Sequence, residues 1–310
     1  DSHHGLGGAR HMEEAVQRTD ATPGSGGRVR TVVLWIVAAT LMLGAAAFQR
    51  LTGPTVALRG TFEVSRTAYR YKLPRAGWSY EDRRVSIPSP GPHAAGTLYY
   101  KRYRTDDPLT AVPLEVDDET LTGLLPRQPA AGKLEYTVVV DGPDGQIGIP
   151  DRDATVVIRF KDAVPIFVLL PHVVFMFFAV LYGLRAGFSA LLQPSSMPRH
   201  AWLALALMTV GGMILGPVVQ KLAFGDFWTG IPFGYDLTDN KTLLMWVVWV
   251  IACGLLLAGR VPDRLRRGAV LVATVVMMVV YLIPHRLRGS ELDYTQLDRA
   301  ADSGESAPPP

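Results

Sequence analysis

Residues Ala163–Leu184 read AVPIFVLLPHVVFMFFAVLYGL, 22 residues without an Asp, Glu, Lys or Arg. At 1.5 Å per residue, a helix of that length covers the roughly 30 Å hydrocarbon core of a bilayer. Four further stretches share this character: Thr31–Phe48, Ala201–Val219, Leu243–Gly259 and Ala269–Ile283. The pattern predicts a membrane α-helical protein of about five transmembrane helices.

Composition agrees. The 310 residues are 48% hydrophobic and only 19% charged, where soluble chains carry charge nearer 25%. Mean hydropathy is +0.18. A soluble enzyme is excluded, and so is a secreted disulfide scaffold, because the single cysteine, Cys253, has no intrachain partner. The net charge of +3 suits a membrane protein with basic inner loops and does not call for nucleic acid.

Placement of the basic residues predicts orientation, since short loops rich in Lys and Arg stay in the cytoplasm. Arg18, Arg28 and Arg30 precede the first span, Arg185 and Arg199 lie between the second and third, and Arg260, Arg264, Arg266 and Arg267 separate the fourth and fifth. With five spans all three groups fall on one side. The N terminus is expected in the cytoplasm of a bacterium, and residues 49–162, the loop 220–242 and the C-terminal tail outside. Residues 1–30 read as a tag remnant, with a native start at Met12, followed by a disordered tail. Residues 31–48 read as a retained anchor; a cleaved signal is the alternative, given Ala45-Ala46-Ala47. Residues 163–285 form the four-helix domain, and 286–310 an outer tail, disordered from Arg299.

Between residues 49 and 162 the apolar runs give way to short alternating stretches such as 97–103, 134–140 and 155–160, rich in β-branched and aromatic residues and bounded by Pro, Gly or Asp. Asp141-Gly142-Pro143-Asp144-Gly145 reads as a turn. The expectation is an inserted extracytoplasmic all-β sandwich of immunoglobulin or fibronectin type, without a disulfide.

The sequence contains no phosphate-binding glycine loop, H-E-x-x-H, paired-cysteine zinc spacing or G-x-S-x-G elbow. Chemistry is instead concentrated in the outer loop Phe224-Gly225-Asp226-Phe227-Trp228-Thr229-Gly230-Ile231-Pro232-Phe233-Gly234-Tyr235-Asp236-Leu237-Thr238-Asp239-Asn240-Lys241-Thr242. Its aromatics lie where a membrane-interface belt would place them. Thr238-Asp239-Asn240 suits a helix cap, whose N–H groups need acceptors. Three carboxylates, an amide and a lysine exceed one cap, so the loop is expected to be ordered. Trp228, Tyr235, Asp236, Asp239, Asn240 and Lys241 are the candidate ligand-binding residues. His172, about 12 Å deep in its span by helix rise, and His285 at the outer end of the last span are both Pro-His pairs. An ionisable group inside a span suggests function, here as possible haem or metal ligands.

The stretch Phe224-Gly225-Asp226-Phe227-Trp228, with Tyr235-Asp236, Trp246 and Trp249 and the flanking His172 and His285, resembles the haem-handling membrane proteins of cytochrome c assembly. In that family a W-G-x-x-W-x-W-D segment cradles haem and histidines from neighbouring spans supply axial ligands. Phe224 stands where the family has Trp, and an insertion containing Gly230, Pro232 and Gly234 separates Trp228 from Asp236. The resemblance implies haem with His172 and His285 as ligands. Composition and loop character instead favour a non-enzymatic binding, accessory or assembly role beside a membrane-protein partner in the lipid bilayer. An intramembrane enzyme or transporter is the weakest reading, because no carboxylate lies within a span.

Overall fold

The computed structural model describes residues 25–53, 55–91, 93–117, 119–142, 145–283 and 292–303. Five helices among them are long and apolar enough to cross a membrane: α1, Ser25–Thr52; α2, Ile166–Leu192; α3, Pro194–Phe224; α4, Leu237–Leu257; and α5, Asp263–Leu282. A short helix α6, Tyr294–Ser303, follows. Eleven strands described between α1 and α2 are β1 Leu58–Val64, β2 Thr67–Leu73, β3 Ala76–Trp78, β4 Arg83–Pro88, β5 Ala95–Arg102, β6 Thr110–Pro113, β7 Glu115–Asp117, β8 Thr120–Leu125, β9 Lys133–Gly142, β10 Gly145–Ile149 and β11 Val156–Lys161.

The helices bury small residues and expose large ones. Their shared core contains Ala38, Ala179, Ala186, Ala190, Ala201, Ala204, Ala252 and Ala273, with Met245, Trp249 and Met277. Leu41, Phe167, Ile251, Leu257, Val275 and many other large side chains face outward. Such a surface is far more apolar than a water-facing bundle maintains. Small residues let backbones approach: a Cβ on Gly187 would lie 2.7 Å from Thr274 Cγ2, and one on Gly183 2.5 Å from Met277 Cε. Thr274 Oγ1 reaches both the Gly183 carbonyl (3.1 Å) and that of Val270 (2.9 Å).

Helix α3 is not uniform. Residues 209–215, TVGGMIL, wind as a π-helix. A Cβ on Gly211 would meet Phe175 Cβ at 2.9 Å, and one on Gly212 would meet Thr242 Cγ2 at 3.0 Å. The wide turn therefore lies where α3 is pressed against both α2 and α4.

Three sheets share one apolar core. β3-β11-β9-β5-β6 form one layer, with β10 folded back on β9 and β3 parallel to β11. β4-β8-β7 form another, and the β1-β2 hairpin lies beside β4. Alternation selects the core: Leu134, Tyr136, Val138 and Val140 of β9, and Val156, Ile158 and Phe160 of β11, meet Leu73, Val85, Ile87, Leu121 and Leu125 from the other layer. The β domain rests on the end of α3. The Asp162 N–H donates to the Ala223 carbonyl (3.0 Å), and the Arg159 guanidinium sits 3.7 Å from the centre of the Phe224 ring.

Several boundaries differ from the sequence expectation. The stretch expected to be disordered to Arg30 is helical from Ser25. Helix α2 runs to Leu192, so Arg185 is not in a loop but buried about two turns inside that helix. The connection 220–242 shrinks to 225–236, because α3 continues to Phe224 and α4 begins at Leu237. The tail expected to be disordered from Arg299 is helical to Ser303.

Long-range contacts explain α6. The Tyr294 hydroxyl accepts from the Lys133 N–H (2.9 Å) and contacts the Lys133 carbonyl and Gln128. Arg102 donates to Asp107 (2.6 and 2.9 Å) and to Asp298 (2.7 and 2.8 Å). Those bonds hold the Asp107 carboxyl down at about 2 and lower that of Asp298. A carboxyl with a depressed folded pKa stabilises above its ordinary value of 3.8 and loses that stabilisation as pH falls towards 2. Docking of α6 is therefore expected to be insensitive to pH near neutrality and to weaken as pH drops from about 4 to 2. Arg102→Ala should loosen it already at pH 7. Amide hydrogen exchange across 294–303 reads both effects, and equal protection in wild type and variant would refute the clamp.

Candidate functional site

Below the loop 225–236, α1, α2, α3, α4 and α5 enclose a cavity of about 300 Å³. Val173, Met176, Phe177, Val219, Met245 and Val280 supply apolar wall; Gln49, His172, Gln220, Trp228, Asp239 and Lys241 supply polar atoms.

His172 is oriented by the π-turn. In that geometry the Gly211 carbonyl receives the Gly216 N–H, five residues on, and it also lies 2.8 Å from His172 Nδ1. A carbonyl only accepts, so Nδ1 carries a proton, and it is Nε2 that is left to face a ligand. His172 is thus fixed across two helices rather than free on its own.

The loop is organised by the first turn of α4. Asp236 is the N-cap, its Oδ1 accepting from the N–H groups of Thr238 (2.6 Å) and Asp239 (3.3 Å). Asp239 Oδ2 accepts from the Thr229 N–H (2.7 Å), Gln220 Nε2 (3.0 Å) and Thr229 Oγ1 (3.3 Å). Asn240 Oδ1 takes the Ile231 N–H at 2.7 Å. Trp228 Nε1 donates to the Ile231 carbonyl (3.0 Å), and the Asp236 N–H to that of Thr229 (2.9 Å). Gly230 sits where a Cβ would come within 2.7 Å of Asp239 Cβ and 2.8 Å of Asn240 Oδ1. Lys241, buried, sends Nζ to the Ile283 carbonyl at 3.0 Å and so ties α4 to the end of α5.

The candidate residues thereby separate by role. His172, Trp228, Asp239 and Lys241 line the cavity. Asp236 and Asn240 hold the backbone of the loop. Tyr235 is 89% exposed and is not part of the cavity lining. His285 lies outside the described residues. The cavity also has polar lining that the sequence candidates do not include: Gln49, whose Nε2 donates to the Tyr281 carbonyl, Gln220 and Tyr281. The two amides are polar breaks at the ends of apolar runs, a signal that the sequence carries.

For haem or a metal, the described cavity offers one imidazole nitrogen, His172 Nε2. No group of three or more His, Cys, Asp or Glu side chains among the described residues could hold a metal ion. Asp239 is engaged in fixing Thr229. Among the described residues His172 is thus the one candidate ligand at the cavity, its suggested partner His285 lying outside them. What they form is a small, mostly apolar pocket capped by a preorganised loop, with large aromatic side chains turned outward from it. Comparison with known proteins finds no matching family model, no similar curated protein and no similar solved structure.

Proposed function

We propose that this chain is a multi-span protein of a bacterial cytoplasmic membrane, with a cytoplasmic N terminus and an extracytoplasmic immunoglobulin-type domain. Its role is non-enzymatic: binding or assembly within a membrane complex, through the loop 225–236. The outward-facing apolar belt of the helices supports insertion. Orientation is supported by the gathering of Arg30, Arg199 and Arg267 at the end away from the β domain; Arg267 there donates to the Ala190 carbonyl. Strand order supports the domain type: β4-β8-β7 corresponds to the B-E-D layer of such a sandwich, and β11-β9-β5 to its G-F-C layer.

One observation carries the functional reading. The backbone of 225–236 is locked by Asp236, Asp239 and Asn240, yet Phe227, Ile231, Phe233 and Tyr235 are 57%, 54%, 83% and 89% exposed. Rigid, exposed aromatics give contact area at little entropic cost, the property of a recognition surface. The occupant is a neighbouring integral membrane protein, because the loop stands at the bundle end, level with the β domain.

A photo-cross-linking amino acid placed at Phe233 or Tyr235 in native membranes is expected to capture a discrete protein. The same probe at Leu109, 57% exposed on the β domain, should not. Adducts to lipid alone at both loop positions would overturn the partner and leave the loop an interfacial anchor.

A further inference from the structure

At the opposite end of the bundle, where α1 starts and α2 turns into α3, a second cavity of about 670 Å³ opens. Its lining includes Arg30, Arg185, Arg199, Ser195, Ser196 and Trp35, and among the described residues contains no Asp or Glu. Arg185 is 1% exposed. Its Nη1 donates to Ser189 Oγ at 2.7 Å and its Nη2 to Gln193 Oε1, both neutral acceptors, while its buried Nε–H has no partner. Trp35 lies 5.6 Å from the guanidinium, close enough for a cation–π contact.

Neutral acceptors satisfy hydrogen-bond geometry but leave the charge uncompensated, and a buried cation without a counter-charge is costly. Arg30 and Arg199, exposed at the rim, add two positive charges to the same space. The start of α3 at Pro194 contributes the positive end of its dipole. Among the described residues every charge at this cavity is positive. A planar guanidinium with unspent N–H groups, backed by two further arginines and hydroxyls, matches the tetrahedral oxygens of a phosphate.

We infer that this cavity binds the phosphate of a phosphate ester, with Arg185 at its base and Arg30 and Arg199 as its mouth. In a bilayer the mouth lies at the level of the inner-leaflet headgroups, so an anionic phospholipid can present that phosphate directly. A soluble phosphate ester has the same chemistry. The site shares with the proposed function only the insertion in a membrane; it uses no residue of the loop 225–236.

The test is native mass spectrometry and thermal stability of the purified full-length chain in detergent, with phosphatidylglycerol, phosphatidylcholine or inorganic phosphate added. Selective retention of phosphatidylglycerol, weakened about thirtyfold in Arg30→Gln/Arg199→Gln, is expected, since each surface cation contributes roughly a fivefold share. Binding of inorganic phosphate, equally sensitive to the pair, would support the site with a soluble ligand. The two rim positions are exposed, so this pair keeps the fold even if Arg185→Gln does not. Binding of neither anion, or binding of phosphatidylglycerol and phosphatidylcholine alike and unchanged in the double variant, overturns the inference. Cross-linking at Tyr235 is independent of either result.

Discussion

Gly187→Ile is expected to prevent the helical bundle from assembling. The added Cβ alone would sit 2.7 Å from Thr274 Cγ2, 2.8 Å from its Oγ1 and 3.0 Å from its Cβ. Thr274 cannot turn aside: it is β-branched, and its hydroxyl is bonded to the carbonyls of Gly183 and Val270. Helix α5 must therefore retreat from α2, giving up the packing of Ala273 and Met277. Overpacking of this kind costs roughly 3 kcal/mol or more for the branched residue and about 2 kcal/mol for Gly187→Ala. Gly183→Ala should be milder, because the atom it meets first is the mobile end of Met277. Thermal unfolding in detergent should rank the variants Gly183→Ala, Gly187→Ala, Gly187→Ile in order of increasing loss, with Thr274→Ala partly rescuing Gly187→Ala. An unchanged melting temperature for Gly187→Ile would exclude the close α2–α5 contact.

Asp239→Ala is expected to release the loop 225–236 while leaving the bundle assembled. One buried carboxylate oxygen gathers Thr229 N–H, Thr229 Oγ1 and Gln220 Nε2, joining the loop, α3 and α4 at a point. Hydrogen bonds to a carboxylate are worth more than neutral ones, and the deletion removes the common acceptor of the half-buried Thr229 N–H, the Thr229 hydroxyl and the Gln220 amide, so about 3 kcal/mol of local order is lost. That corresponds to roughly a hundredfold faster amide exchange in the loop, together with new proteolytic nicking near Gly230. Asp239→Asn keeps an acceptor oxygen and should lose less. If loop rigidity carries recognition, Asp239→Ala also abolishes cross-linking from Tyr235 without lowering the amount of protein in the membrane. Retained cross-linking with a loosened loop would separate the aromatic surface from its scaffold.

The candidate loop was half legible. Its richness in Asp, Asn and Gly announces order, and the acids near the start of a span announce a cap. Which acid caps is a matter of position: Asp236, not Asp239, precedes Leu237 and takes the first-turn N–H groups. Asp239 faces the other way, towards Thr229, because α4 begins earlier than its apolar stretch and carries residues 237–242 within its first turns. Tyr235 is indistinguishable in the sequence from Trp228, yet one stands in solvent and the other lines the cavity. Gln49 of α1 and Gln220 of α3 line one cavity, a juxtaposition of distant segments that no local pattern encodes.

What the sequence determined by itself is the set of structures whose cause is local. Five apolar helices, a β insertion with alternating strands, and the grouping of arginines follow from periodicity and composition, since burial of a helix stripe or a strand face repeats along the chain. Only the tertiary structure decided where the polar residues ended up. Arg185 reads as one of several basic residues near a span end, but the continuation of α2 to Leu192 buries it among Ser189, Gln193 and Trp35. His172 becomes fixed in orientation because a π-turn thirty-nine residues away offers the Gly211 carbonyl. The tail beyond Tyr294 becomes a helix because Lys133 and Arg102 of the β domain receive it. In each case at least one deciding contact joins segments far apart in the chain, Trp35 to Arg185, Gly211 to His172, and Lys133 and Arg102 to the last helix, and is set by three-dimensional approach rather than by any repeat in the sequence.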